Sequence, residues 1–133
     1  MSDKYSKVMV TLLTILNQVK LYHWQTLSHP RHKATDELYG DLSDLIDKFI
    51  EVLMGRLIVE NNNPQYRILL GDKNKIRLDE YIDSNAYQLI QNTKNYFESE
   101  ELNEILKNST ELANIRDEML AAINKVGYLF SLS

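Results

Sequence analysis

The sequence predicts an all-α protein: four amphipathic helices packed as a bundle, with one long connection between the second and the third. Two observations carry this. Glycine (4) and proline (2) are scarce among 133 residues, which disfavours a turn-rich β architecture. Apolar residues also recur at three-and-four spacing through four separate segments, the period of a helix with one buried face. The length suits a single domain over residues 1–133 with a substantial core.

The first helix is expected from about Ser2 to Ser28, with Val8, Leu12, Ile15, Leu16 and Val19 as its buried stripe. Val10, Leu13, Leu21 and Trp24 lie off that stripe. A helix that is apolar on more than one face needs more than one partner, a first sign of an oligomer. His29-Pro30 interrupts the pattern, and proline is well tolerated at a helix start, where its missing N–H would be unpaired anyway. The second helix is expected from about Arg31 to Val59, with Leu38, Leu42, Leu45, Ile46, Phe49 and Leu53 inward. Asn61-Asn62-Asn63-Pro64 ends it with turn formers. Residues 64–82 fit a short helical turn or an extended piece, with a turn at Gly71-Asp72-Lys73-Asn74. The third helix starts near Asp83 or Ser84, either of which can cap it, and buries Ala86, Leu89, Ile90, Thr93 and Phe97. The fourth is capped within Asn108-Ser109-Thr110 and buries Leu112, Ile115, Met119, Ile123, Val126 and Phe130. Residues 99–108 fit the end of the third helix, the start of the fourth, or a separate turn.

The composition, 44% hydrophobic and 26% charged, is that of a soluble globular protein. No run of apolar residues is long enough for a membrane span. The start, Met1-Ser2-Asp3-Lys4-Tyr5, lacks the layout of a secretory signal, so a cytoplasmic location is expected. The absence of cysteine excludes disulfides and thiolate metal sites. A net charge of −4 without a basic tail argues against DNA binding, which draws its energy from Lys and Arg neutralising phosphates. An acidic surface attracts cations instead.

Four residues carry the chemistry: His23, His32, Asp47 and Glu51. Imidazoles and carboxylates together suit borderline divalent metals such as Fe(II) or Zn(II). On a helix, Asp47 and Glu51 lie about 40° apart and Asp44 within about 60° of both. Asp47 projects roughly 130–150° from the centre of its helix's buried stripe, so these carboxylates cannot converge inside their own bundle. The ordinary account of such residues is a solvated outer face for the acids, a hydrogen-bonded core position for His23, and an idle surface position for His32. Met54 and Ile58, apolar neighbours on the acidic face, point to a face that is covered. No Glu-x-x-His occurs, so a di-iron site inside one bundle is excluded, as is a His-Glu-x-x-His zinc site.

The segment Leu21-Tyr22-His23-Trp24-Gln25-Thr26, followed by His32 and then Asp47-x-x-x-Glu51, resembles the metal region of the Dps-type mini-ferritins over about residues 8–59. Members of that family carry a His-Trp pair late in the first helix and a second histidine early in the next. An Asp and a Glu four apart follow further along. The intervals from His32 to Asp47 and from Asp47 to Glu51 match, and Tyr39 falls where the family often has an aromatic. The chain departs from the pattern in three places. The His23–His32 interval is three residues shorter than usual. Ser28-His29-Pro30-Arg31 replaces a glycine-rich loop, making His29 a substitute ligand candidate. The chain also lacks the basic tail that some members use on DNA. Tyr22-His23-Trp24-Gln25-Thr26 and Asn114-Ile115-Arg116-Asp117-Glu118-Met119 also resemble small ferritin-like proteins of large DNA viruses and phages, for which the host cytoplasm would be the setting.

The resemblance implies a ferritin-like four-helix bundle with a long connection between the second and third helices. It implies His23 and His32 as ligands from one subunit and Asp47 and Glu51 as ligands from its two-fold mate. Such a site would oxidise Fe(II) with peroxide or dioxygen, and a homo-oligomeric shell, a dodecamer built on two-fold dimers, would store the ferric product. Asp44 would assist a second iron, and zinc would serve as a substitute metal. Trp24 with Tyr22 or Tyr39 would carry stray oxidising equivalents, although packing alone accounts for such aromatics. Two other readings stand beside this one. In the first, a ferritin-like structural or interaction protein has lost iron chemistry, since fold does not fix function. In the second, a zinc site at a dimer interface is purely structural.

Overall fold

The helices form because each of the longer segments offers an apolar stripe, and three of the helices also begin at a capping serine. A computed structural model describes residues 3–133, which fold as α1 (Asp3–Gln25), α2 (His29–Glu60), a 3-10 turn (Asp83–Asn85), α3 (Ala86–Phe97), α4 (Glu100–Leu106) and α5 (Thr110–Ser131). The described residues contain no strand, so the protein is all-α. The expected start of the first helix at Ser2 lies outside the described residues. No helix among them is long and apolar enough to cross a membrane.

Three serines set the register of the chain. Ser28, Ser99 and Ser109 sit in extended backbone and accept the N–H of Arg31, Leu102 and Leu112, capping α2, α4 and α5. Residues 99–108 are thus a helix of their own, held between two such caps. Pro30 occupies the first turn of α2, which begins two residues earlier than the periodicity suggests. At its other end Asn62 adopts a positive φ of 47°. There the Asn62 and Asn63 N–H groups reach back to the Val59 and Ile58 carbonyls, satisfying two orphan acceptors in a Schellman turn.

Helix α2 packs on α1 and α5, α5 on α3, and α3 touches α1. The predicted stripes of α3 and α5 are buried in full. On α2, Leu38, Leu42, Ile46, Phe49 and Leu53 are buried, whereas Leu45 is only half-buried. On α1, Val8, Leu12, Ile15 and Val19 are buried, Val10 joins them from a second face, and Leu13 and Trp24 remain exposed.

Residues 61–82 contain no regular secondary structure and run as a strap tied down by side chains. The Ser6 hydroxyl donates to the Leu69 carbonyl. The Gln18 side chain grips the backbone of Asp79 from both sides: Nε2 donates to its carbonyl at 2.6 Å, and Oε1 accepts its N–H at 2.8 Å. Ile68 and Tyr81 are the strap's buried anchors. Replacing Gln18 with Ala leaves two backbone groups without partners near the core. We expect a loss of about 1–3 kcal/mol in urea unfolding, with faster hydrogen exchange at the Asp79 amide. An unchanged stability and exchange rate would remove the clamp from this account.

Candidate metal centre

The corner between α1 and α2 is built around one carboxylate from a distant part of the chain. Asp83 accepts hydrogen bonds from the Tyr22 hydroxyl (2.6 Å), the Thr26 hydroxyl (2.6 Å) and the Leu27 N–H (3.0 Å). Arg31 donates to the Asp83 carbonyl at 2.8 Å and to the Tyr22 hydroxyl at 3.3 Å. Its guanidinium lies over the rings of Phe130 (4.7 Å) and Tyr87 (5.6 Å). These contacts end α1 at Gln25, three residues short of Ser28, because Thr26 and Leu27 direct their groups at Asp83 and Ser28 becomes the cap of α2. Burial pushes the Asp83 carboxyl up, but the hydrogen bonds from Thr26, Tyr22 and Leu27 and the Arg31 charge outweigh it. The group is therefore held below its ordinary 3.8. Burial, reinforced by the bond to Asp83, pushes the Tyr22 phenol up.

The tight corner brings His23 and His32 together. Their rings stack at 4.0 Å between centroids, 17° from parallel. Each ring bonds the backbone of the other: His23 Nδ1 lies 2.8 Å from the His32 carbonyl, and His32 Nδ1 lies 3.0 Å from the His23 carbonyl. A carbonyl can only accept, so each Nδ1 carries the proton. In the neutral ring that leaves Nε2 with the lone pair, the tautomer a metal requires. The Thr35 hydroxyl, 3.1 Å from His23 Nδ1, adds a second acceptor. His23 is 6% exposed and His32 is open to solvent. The His29 ring lies 6.5 Å from that of His32 between centroids, 20° from parallel.

Asp47 and Glu51 lie on the outer face of α2, as the helix arithmetic requires, and both are exposed. Among the described residues neither side chain makes a hydrogen bond or ion pair, and the same holds for Asp44. The rise of a helix puts His32 and Asp47 about 22 Å apart along α2, so the two ends cannot share an ion within one chain. Accordingly, no set of three or more His, Asp or Glu side chains among the described residues is close enough to hold a metal. Around the helix axis, however, His32 and Asp47 differ by only about 60°, so imidazoles and acids occupy the same broad side of α2 at different heights. Trp24 and Tyr39 flank the histidine end, with the Lys20 ammonium 5.8 and 4.3 Å from their ring centroids.

Sequence reasoning missed two residues here. The Asp36 carboxylate lies 3.9 Å from His23 Nε2, the nitrogen left free to coordinate, and its side chain is 70% exposed. Its signal was the four-residue step from His32, the same step that joins Asp47 to Glu51. Asp83 was read as a helix cap, and nothing in its local sequence reveals that it organises the α1–α2 corner.

Residues 23–130 match a family of unknown function (DUF5856), and the chain belongs to that family. No curated protein and no solved structure matches the chain.

The lowered pKa of Asp83 ties the corner to pH. The unfolded chain binds a proton at Asp83 before the folded chain does. Its contribution is complete above about pH 5 and is lost as pH falls below the ordinary value towards the folded one. Asp83→Asn should lower the melting temperature at neutral pH, and the gap to wild type should close as pH falls from about 5 through and below the ordinary value of Asp83. A gap that does not change with pH would contradict this.

Proposed function

We propose that this member of the family is a mini-ferritin of the Dps type, which takes up Fe(II), oxidises it between subunits and stores the ferric product in a homo-oligomeric shell. The observation that carries the reading is the cross-tie at the α1–α2 corner. Two stacked imidazoles have each committed Nδ1 to a backbone carbonyl, so both neutral rings keep Nε2 for a cation. Metal-ligating histidines almost always donate their other ring N–H in this way, which fixes the tautomer and the ring orientation.

The acids must then come from a second copy. His32 and Asp47 share a side of α2 but are separated along it. Two copies related by a two-fold axis with their α2 helices antiparallel would bring the histidine end of one against the partner's Asp47 and the partner's Glu51. Asp36, beside His23 Nε2, would add a carboxylate from the histidine side. Such a set supplies two neutral nitrogens and at least three carboxylate groups, enough anionic charge to hold two Fe(II) ions. Each Fe(II) would give up one electron. Two electrons reduce one peroxide, break its O–O bond and leave two hydroxides, and two such pairs serve one dioxygen. Asp44 continues the acidic face of α2 and would accept cations leaving the site.

The helix packing supports a ferritin-like four-helix bundle: α1, α2, α5 and α3 contact one another in a closed ring, and the strap 61–82 is the long connection between its halves. The resemblance at His23, His32, Asp47 and Glu51 supports a dodecamer built on two-fold dimers, acting in the cytoplasm. Zinc would occupy the same ligands without turnover, and at a net charge of −4 the shell would not hold DNA at ordinary salt.

Fe(II) oxidation, driven by peroxide or by air, tests the reading. The Asp47→Ala, Glu51→Ala double variant should lose more than about tenfold in initial rate while keeping its native mass. Equal rates in variant and wild type would reject the site. A stable monomer or dimer with no larger species, seen by native mass spectrometry, would reject storage.

A further inference from the structure

Five of the twelve exposed large apolar side chains among the described residues lie on the strap: Leu69, Leu70, Ile76, Leu78 and Ile82. Uncovered apolar area is thus concentrated on the one segment that has no regular structure of its own. From Asn74 to Ile82 the chain runs without a turn or a bend, and Ile82 has extended dihedrals of φ −114° and ψ 171°. Every residue from Lys75 to Glu80 is exposed. In an extended chain alternate side chains share a face. Ile76, Leu78 and Ile82 therefore stand on one face, and Lys75, Arg77 and Asp79 stand on the other with the buried Tyr81.

The Gln18 clamp decides which edge of this segment is free. It holds both the N–H and the carbonyl of Asp79, so both point at α1. In a strand the two backbone groups of one residue share an edge, and those of the next residue point to the opposite edge. The N–H and carbonyl groups of Ile76, Leu78 and Glu80 are therefore directed away from α1. Among the described residues none of them has a hydrogen-bond partner. Such a row of open backbone groups is a template for another extended chain.

The charges select which chain fits. Lys75 and Arg77 precede Asp79 and Glu80, so the segment runs from basic to acidic. A parallel copy in register would set Arg77 against the partner's Arg77. An antiparallel copy centred on Leu78 sets Arg77 against the partner's Asp79, and Asp79 against the partner's Arg77. The same register opposes Leu78 to the partner's Leu78 and Ile76 to the partner's Glu80, the positions whose backbone groups are open. Centring the pair on Arg77 or on Asp79 keeps the backbone bonds but brings two like charges face to face, which is destabilising. Centring it between two residues sets an open backbone group against one turned towards α1. Backbone direction and charge thus agree on one register.

We propose that the strap docks on a second copy of itself, residues 76–80 of two chains pairing as antiparallel strands about a two-fold axis at Leu78. Ile76 and Leu78 of the two copies then form one apolar row, and the Arg77 and Asp79 side chains pair across the opposite face. The surface is self-complementary, as a two-fold contact must be. It uses no residue of α2, so it stands apart from the metal reading.

Site-directed cross-linking of the full-length protein tests it. The chain has no cysteine, so a single introduced one reports only its own contacts. Directly opposed residues have Cα atoms about 5.5 Å apart, within disulfide reach, whereas a residue two positions from the axis lies about 14 Å from its own copy. Leu78→Cys should form disulfide-linked dimers under mild oxidation. Ile76→Cys alone and Glu80→Cys alone should each link at least about tenfold more slowly, and a mixture of the two should link as fast as Leu78→Cys. Added to Leu78→Cys, Arg77→Asp or Asp79→Arg should each lower the yield of linked dimer, and mixing these two proteins should restore it, because each then meets opposite charges. A Leu78→Cys protein that links no faster than Ile76→Cys would overturn the proposal, whether the chain stays single, associates through α2 alone or gives this edge to a different protein. Failure of the mixed charge variants to recover would overturn it as well.

Discussion

The reciprocal bonds between His23 and His32 are the constraint on which the functional account rests. Neither imidazole could be held by its own helix alone. His23 ends a buried face of α1, His32 opens α2, and each needs the other's backbone carbonyl to fix its ring. The short corner makes this exchange feasible. Thr26, Leu27 and Ser28 are just enough chain to reverse direction, and Asp83 and Arg31 prevent that chain from extending the helix or drifting from it. The chain of cause runs from a carboxylate in the 3-10 turn ahead of α3, through a three-residue turn, to the tautomer of two rings.

On the proposed reading, the same geometry leaves the metal site incomplete in one chain. A straight helix separates groups at its two ends by its own length, and no rotamer bridges that distance. An unpaired pair of carboxylates on α2, and lone-pair nitrogens at its other end, both lack what the other offers. Self-association about a two-fold axis is the simplest arrangement that satisfies both, because it uses the same surface twice. The exposed Trp24 lies on α1 near the histidines and would supply apolar area to such an interface. On this reading the acidic balance of the chain, unfavourable to nucleic acid, is an advantage to a protein that collects cations.

Much of the fold was legible because most helices present one face to one core. The stripes of α3 and α5 could be read residue by residue, and Ser109 announced its helix as a cap should. Legibility failed where tertiary contacts overrule local pattern. Thr26 to Ser28 continue a helical sequence, and only the remote Asp83 stops them. Residues 61–82 have no period to read, since their course is set by Ser6 and Gln18 on another element. Helix α1 shows apolar residues on several sides because it meets α2, α3 and the strap, so Val10 is buried where Leu13 and Trp24 are not. In the candidate site, the outward direction of Asp47 and Glu51 follows from helix arithmetic alone. The stacking of the histidines could not be foreseen, because it depends on the tight turn that the remote Asp83 holds between α1 and α2. Asp36 was hidden for a different reason: an acid on an exposed helix face looks like any other until a neighbouring helix brings a ring nitrogen to it.

Subunit complementation tests the central claim most directly. Protein carrying His23→Ala with His32→Ala and protein carrying Asp47→Ala with Glu51→Ala should each be inactive in Fe(II) oxidation. Co-expressed as mixed oligomers, verified by native mass, they should recover about one quarter of wild-type activity. Half of random dimers are mixed, and each mixed dimer rebuilds one of its two sites from an intact histidine pair and an intact acidic pair. Mixed oligomers with no recovered activity would contradict a site shared between subunits.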